Sequence, residues 1–253
     1  MKDSKVVILA GGYGTRLGKI TKIKPKPMVD VCGKPILLHI INIYRKYSLN
    51  KFVICTGYKG NIIKNFFIKK YKNYILKKTK KELLIKNKEL EILIVDTGIG
   101  ALTGGRIKKI KKYVQDLKFF YMTYGDGLAN INLNKLTKFH LRNKKLATVT
   151  VVKIQVPQER FGIVYFKKRN IVKKFLEKPN IKEIYINGGF FILNPKIFKY
   201  IKGSKTRWEA YPMQKIAKIK ELAAYRHNGF GKCMDTPRDK SFLEKFKKKI
   251  PWI

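Results

Sequence analysis

Hydrophobic residues in this chain fall in short blocks, and the spacing of the blocks predicts strands alternating with helices. Val6-Val7-Ile8-Leu9-Ala10 is a continuous apolar run closed by Gly11-Gly12, the pattern of a strand covered on both faces that feeds a loop. Residues 35–44 carry apolar positions at helical spacing, with Pro35 placed for a first turn. Phe52-Val53-Ile54-Cys55-Thr56 predicts a second strand ending at Gly57, and another helix begins at Ile62. Further strands are predicted over 93–95 and 119–123, leading to Gly98 and Gly125, and over 147–152. Such alternation gives an α/β fold with a doubly wound, mixed but mostly parallel sheet. Beyond residue 154 the pattern loosens. It predicts a hairpin around Phe161-Gly162-Ile163-Val164, a strand over 185–193, and helices from Pro195 and Pro212.

Residues 69–91 break the alternation with a Lys-rich stretch that lacks Gly and Pro. It reads as a solvated excursion, a helix end plus a hairpin, with an oligomer-forming or partner-binding arm as the functional alternative. Neither an internal repeat nor an interdomain linker is visible, so residues 1–253 are expected to form one domain.

Charge changes the picture less than its size suggests. The chain has 58 basic and 16 acidic residues, and 58 − 16 gives a net charge of +42. With 45% hydrophobic residues there is ample material for a core, so the charge does not signal disorder. It raises nucleic-acid binding as a hypothesis. Only nine of the basic residues are Arg, however, and the Lys excess accompanies abundant Ile, Asn, Tyr and Phe. That composition fits a genome-wide base bias better than selection for a polyanion, because Arg is the better reader of phosphates and guanine. No nucleic-acid partner is therefore expected. No apolar stretch approaches the ~18 residues of a membrane-spanning helix, and no membrane partner is expected either. The run over 6–10 stops short of the ~7–15-residue core of a signal peptide. Cys32, Cys55 and Cys233 lack the spacing of a disulfide framework or zinc site and point to a reducing, cytoplasmic setting.

The densest chemistry lies in Leu9-Ala10-Gly11-Gly12-Tyr13-Gly14-Thr15-Arg16-Leu17. A Gly-rich turn after a buried strand lets backbone N–H groups approach a phosphate. The loop is neither a Walker A motif, lacking G-K-[ST], nor a dinucleotide fingerprint, since Leu17 stands where the third Gly belongs. Arg16 can reach polyphosphate oxygens with its fork of donors; the plainer reading is a Gly-rich turn with a surface Arg. Lys24-Pro25-Lys26-Pro27-Met28 follows, and its alternating prolines predict a stiff, extended strip that cannot become helix. Lys26 would deliver a fixed charge from it to the same phosphates.

Taken in order, these two segments resemble the signature of the sugar-phosphate nucleotidylyltransferases. The similarity runs on through Val95-Asp96-Thr97-Gly98, Thr103-Gly104-Gly105-Arg106, Tyr124-Gly125-Asp126-Gly127, Glu177-Lys178-Pro179, Ile186-Asn187-Gly188-Gly189-Phe190-Phe191, Trp208-Glu209 and Met234-Asp235-Thr236. It spans nearly the whole chain and is closest to the branch that cytidylylates glucose 1-phosphate. The resemblance implies a Rossmann-like, GT-A-like nucleotidyltransferase fold and the reaction of CTP with glucose 1-phosphate to CDP-glucose and pyrophosphate, with Mg²⁺. In-line attack of this kind needs positioning and charge neutralisation rather than a covalent nucleophile. The chain offers four serines, no G-x-S-x-G and no close Cys/His pairing.

The resemblance also implies roles. Leu9, Ala10, Gly11, Gly12, Gly14, Thr15, Arg16, Lys26, Ala101, Arg106 and Gly125 would line the nucleotide site, with Arg16, Lys26 and Asp126 as catalytic residues. Asp126 and Asp235 would hold Mg²⁺, which commonly takes one or two carboxylates plus substrate phosphates. Lys178, Asn187, Gly188, Trp208 and Glu209 would meet the sugar phosphate. Glu177-Lys178-Pro179 also reads as an ordinary turn, Asn187-Gly188-Gly189 as a hairpin or bulge, and Trp208 as core. Residues 1–150 would form the nucleotide-binding part and 151–253 the sugar-binding part, in an enzyme of a usually oligomeric family. CDP-glucose would feed deoxysugars of a surface polysaccharide.

Thymidylyl and uridylyl relatives typically carry P-x-G-[LT]-A-x-A after the strand near position 95, where this chain has Asp96-Thr97-Gly98-Ile99-Gly100-Ala101-Leu102-Thr103-Gly104-Gly105-Arg106. That is the cytidylyl pattern, with one departure: Ala101 stands where a Ser is expected. A uridylyl- or thymidylyl-transferase acting on a hexose 1-phosphate is the alternative. A non-catalytic sensor on the same fold is disfavoured by the retained Asp126, Asp235 and Lys26.

Overall fold

The computed structural model describes residues 4–154, 163–166, 172–176 and 184–252. The chain begins with β1 (Val6–Leu9), α1 (Lys19–Ile23), a small ribbon of β2 (Asp30–Val31) and β3 (Lys34–Pro35), and α2 (Ile36–Arg45). β4 (Lys51–Thr56), α3 (Gly60–Lys70), β5 (Ile75–Lys78), β6 (Glu82–Lys86), β7 (Glu91–Asp96), α4 (Thr103–Lys109) and β8 (Phe120–Tyr124) follow. Next come β9 (Gly127–Ala129), α5 (Leu133–Asn143), β10 (Ala147–Ile154), β11 (Ile163–Phe166), β12 (Val172–Leu176) and β13 (Ile184–Leu193). The chain closes through α6 (Tyr211–Lys218), β14 (Leu222–Arg226), β15 (Gly231–Cys233) and α7 (Pro237–Glu244).

Nine strands form the central sheet in the order β14-β10-β13-β8-β1-β4-β7-β6-β5. β8, β1, β4 and β7 are mutually parallel, and only β13 and β6 run against the rest. This is the mixed, mostly parallel sheet that the apolar blocks predict. Period-two alternation sends successive strand residues to opposite faces, and both faces are covered. Val6, Ile8, Phe52, Ile54, Tyr121 and Phe190 pack into one core under α2 and its neighbours. Val7, Leu9, Val53, Cys55, Met122 and Phe191 pack into a second core with Ile107 and Ile216. Runs apolar at every position, as in β1, are what two covered faces require.

The sheet also explains where a ligand can sit. From β1 the chain moves to β4 and β7 on one side, whereas β8 lies on the other. The carboxyl ends of β1 and β8 therefore flank a topological switch point, the usual crevice of an open α/β sheet.

The Lys-rich stretch resolves into the end of α3, a 3-10 turn over Lys72–Tyr74 and the antiparallel β5–β6 hairpin. It is not a detached excursion: β6 pairs with β7 and extends the sheet edge. Glu82 anchors it, with its carboxylate accepting from Lys77 at 2.7 Å and also from Tyr113. Those contacts hold the acid down at a pKa of about 2. The later hairpin is β11–β12, and Phe161 and Gly162 lie outside the described residues. The strip around Lys26 departs from expectation. Pro25 is extended, but Lys26–Met28 forms a 3-10 turn, because a proline in a first turn gives up only an N–H that would have no helical partner.

His140 on α5 is buried, with Nδ1 2.8 Å from the Thr148 hydroxyl. Burial pushes its pKa down from 6.5 to about 4. The unfolded chain then binds a proton that the folded chain refuses, so its contribution is complete above about pH 6.5 and declines as pH falls towards 4. Denaturant unfolding at pH 7 and pH 4.5 should reveal up to about 3 kcal/mol lost through this group. In a His140→Asn variant the same pH step should cost correspondingly less.

Candidate active site

Three separated stretches of chain meet above β1 and β8. The Gly-rich loop leaves β1 and ends in a 3-10 turn at Thr15–Leu17. Asp126 follows β8 after Gly125. Asp235 arrives on a ribbon: β15 pairs antiparallel with β9, and Met234 N–H donates to the Asp126 carbonyl at 2.9 Å. α7 fixes the other flank of Asp235 through a capping box between Thr236 and Asp239.

At the meeting point Lys26 Nζ donates to Asp126 Oδ2 and to Asp235 Oδ1, both at 2.6 Å. The Arg16 guanidinium adds a 3.0 Å contact to the same Asp235 oxygen. Lys26 is only 10% exposed at its side chain, whereas Arg16 is 71% exposed and open to solvent. Burial by itself would lower the lysine pKa; the two carboxylates outweigh it and hold the ammonium above its ordinary value. Two cations and two anions cancel here, and Lys26, the buried one among them, is paired as a buried charge must be.

The cleft beside this cluster has a volume of about 580 Å³ and is lined by residues 9–16, 26–27, 99–103, 106 and 124–126, with Lys205. Of the residues singled out by sequence, Leu9, Ala10, Gly11, Gly12, Gly14, Thr15, Arg16, Lys26, Ala101, Arg106, Gly125 and Asp126 all line it.

Arg106 plays a different part from a free phosphate ligand. It is 4% exposed, and its guanidinium donates to the carbonyls of Thr56, Gly98, Gly11 and Ile99 and to the Thr97 hydroxyl at 2.7–3.4 Å. It ties the Gly-rich loop to the end of β4 and to the turn after β7. That contact is also why residue 11 is glycine: a Cβ there would lie 2.2 Å from the guanidinium. At Gly12 a Cβ would meet nothing within 4 Å, so that position is open.

Tyr124 and Thr103 line the cleft, and side-chain hydrogen bonds join them to Asn187 and Glu209 behind it, which are not among its lining residues; Gly188 lies beside Asn187 on β13. Trp208 does not reach the cleft. It is 0% exposed and packs edge-on against Phe191 in the second core, so its indole serves packing and not the sugar. Lys178 lies outside the described residues. Sequence reasoning missed Tyr124, Thr103 and Lys205 as cleft residues. Tyr124 carried a signal, since it closes a strand next to Gly125-Asp126, whereas Lys205 carried none among so many lysines.

The nucleotidyl transferase family matches residues 5–239 of the chain. Glucose-1-phosphate cytidylyltransferase of Salmonella typhimurium (strain LT2) is 41% identical over 256 residues, covering 98% of each protein. The catalytic subunit beta of mannose-1-phosphate guanylyltransferase from Xenopus tropicalis is 27% identical over 241 residues, covering 94% of this chain and 62% of its own length. A solved structure of UDP-glucose pyrophosphorylase complexed with UDP-glucose superimposes with a TM-score of 0.70 at 18% identity, covering 97% of this chain and 98% of the other. That likeness speaks for the fold.

Gly11 and Gly12 make a matched pair of tests. Gly11→Ala should cost about 1–3 kcal/mol of stability by driving a methyl into the Arg106 fork. Gly12→Ala should stay within about 0.5 kcal/mol of the parent protein. Chemical denaturation of both variants checks the contrast.

Proposed function

The chain belongs to the nucleotidyl transferase family, and from that premise we propose that it transfers the cytidylyl group of CTP to glucose 1-phosphate, releasing pyrophosphate. The observation that carries this reading is end-to-end similarity, at 41% identity, to an enzyme of that name. It is supported by a cleft whose cations and carboxylates stand at the mouth of a Gly-rich loop.

A phosphate oxygen of glucose 1-phosphate forms the new bond to the α-phosphorus of CTP. The bond from that phosphorus to the bridging oxygen breaks on the opposite side, and pyrophosphate departs with the electron pair. The loop over 11–16 receives the triphosphate on backbone N–H groups, with Arg16 and Lys26 neutralising its oxygens. Arg106 holds that loop and the 97–99 turn at fixed separation, which is the preorganisation such a displacement requires. No covalent intermediate is needed. Cys55 is buried and is no ready nucleophile.

Asp126 and Asp235 fit a divalent cation. Both place an oxygen on one ammonium, which marks the space between them as a seat for positive charge. Among the described residues no group of three or more His, Cys, Asp or Glu could hold a metal. A two-carboxylate site completed by phosphates and water is the habit of Mg²⁺. When bound, that ion would neutralise charge on the phosphates.

Asn187, Gly188 and Glu209 form the sugar side, and Lys178 is assigned there by resemblance. The nucleotide-binding part (1–150) and the sugar-binding part (151–253) act as one unit, since Asp235 of the second completes the site of the first. No helix among the described residues is long and apolar enough to cross a membrane. A cytoplasmic, self-associating enzyme is the setting this reading carries.

Pyrophosphate release measured over a panel of nucleoside triphosphates and hexose 1-phosphates tests the proposal. CTP with glucose 1-phosphate should give the highest kcat/KM; UTP or dTTP performing as well would refute the choice of base. Ala101 is a second lever, being buried in the cleft wall. Ala101→Ser should lower the KM for CTP by about 2–10-fold if the hydroxyl gains one hydrogen bond to the nucleotide, read in the same assay.

A further inference from the structure

Tyr124 sits at a junction of four chain segments. It ends β8, one residue before Gly125-Asp126, and it lines the cleft. Its hydroxyl donates to Glu209 Oε1 at 2.7 Å and accepts from Asn187 Nδ2 at 3.3 Å. The other carboxylate oxygen of Glu209 accepts from the Thr103 hydroxyl at 2.7 Å, and that hydroxyl accepts in turn from Trp208 N–H at 2.8 Å. The amide of Asn187 is held at its other end too, with Oδ1 accepting from Gly189 N–H at 2.8 Å.

The network has one workable proton arrangement. A phenol has a single proton to give, and Glu209 can only accept. The ring is clamped as well: it meets Phe191 at right angles with centroids 5.8 Å apart. A phenylalanine would pack equally well. The hydroxyl is therefore there for Glu209 and Asn187, and each Glu209 oxygen, having accepted one protein bond, keeps room for another.

We infer that Tyr124 is a positioning residue for the acceptor: its hydroxyl fixes Glu209 and Asn187 against the sugar phosphate and ties them, through Thr103, to the nucleotide wall. This rests on the sugar-side reading of those two residues given above. Tyr124 does no chemistry itself. It decides how sharply the site distinguishes hexose hydroxyl configurations, because discrimination requires polar partners that cannot swing to meet the wrong isomer.

The test begins with whichever hexose 1-phosphate the wild-type protein uses best, so a wrong acceptor in the proposed function is seen separately from a wrong role for Tyr124. With that sugar, Tyr124→Phe should raise the acceptor KM about 10-fold. KM for the nucleotide and kcat should change less than about twofold, and the preference over the 4-epimeric sugar phosphate should narrow about 10-fold. Glu209→Ala should shift the same parameter, and the double variant should be little worse than the poorer single, since both remove one shared contact. Thermal melting of each variant shows whether the fold is kept. An unchanged acceptor KM and epimer ratio in folded Tyr124→Phe would overturn the inference. So would an equal rise in both substrate KM values, or full additivity in the double variant.

Discussion

The ammonium of Lys26, 2.6 Å from a carboxylate oxygen of Asp126 and of Asp235, is the contact on which the site depends. It joins residues 100 and 209 positions apart in sequence, and the lysine alone would be a poor thing to bury. An unpaired ammonium at this depth costs several kcal/mol; with the two carboxylates it is tolerated, and three chain segments are fixed at one point. The cost of breaking the set explains features that otherwise look incidental. The β9–β15 ribbon, the Met234–Asp126 backbone bond and the capping box of α7 all hold Asp235, which comes from outside the central sheet. The 3-10 turn at Lys26–Met28 holds the lysine.

Arg106 does for the opposite wall what Lys26 does for the floor, by other means. It has no carboxylate partner among the described residues, and carbonyl oxygens from the end of β4, the Gly-rich loop and the turn after β7 stabilise its charge instead. Such a charge resists replacement because its loss strands several buried acceptors at once. The consequence is a division of labour between the two arginines. Arg106, buried, sets the shape of the loop. Arg16, exposed, is left with donors for a ligand.

Most of the fold was legible because its central strands, such as β1 and β4, are apolar at nearly every position, the pattern of a strand covered on both faces. That β1, β4, β7 and β8 are strands of one mostly parallel sheet followed from that pattern and the glycines closing each block; their order in it did not. What could not be read was tertiary. Nothing local to residues 82–86 says that β6 will pair with β7 rather than remain in solvent, since its alternation suits any sheet edge. The 3-10 turn at Lys26 was hidden by reading both prolines as helix breakers, when position within a first turn decides the matter. Trp208 beside Glu209 read either as a sugar-facing pair or with Trp208 in the core, and successive residues there point apart, one into the core and one into the Tyr124 network. Arg106 was recognisable as part of the site, but its partners are backbone carbonyls, which leave no trace in sequence.

The net charge of +42 then has to be separated from the charge of the site. Lys26, Arg16, Asp126 and Asp235 sum to zero, so this cluster has no net monopole with which to draw a triphosphate. Attraction at close range must come from oriented N–H groups of the Gly-rich loop, from the free donors of Arg16 and from Lys205 on the cleft wall. At longer range it comes from the surface lysines, whose field is screened beyond roughly 8–10 Å at physiological salt. The lysines can thus hasten encounter without setting what is bound. The few acids are the more telling charges: Asp235 and Glu209 are each held by two donors and Asp126 by the Lys26 ammonium, and in a chain this basic a carboxylate fixed in that way is the rarer and more informative charge.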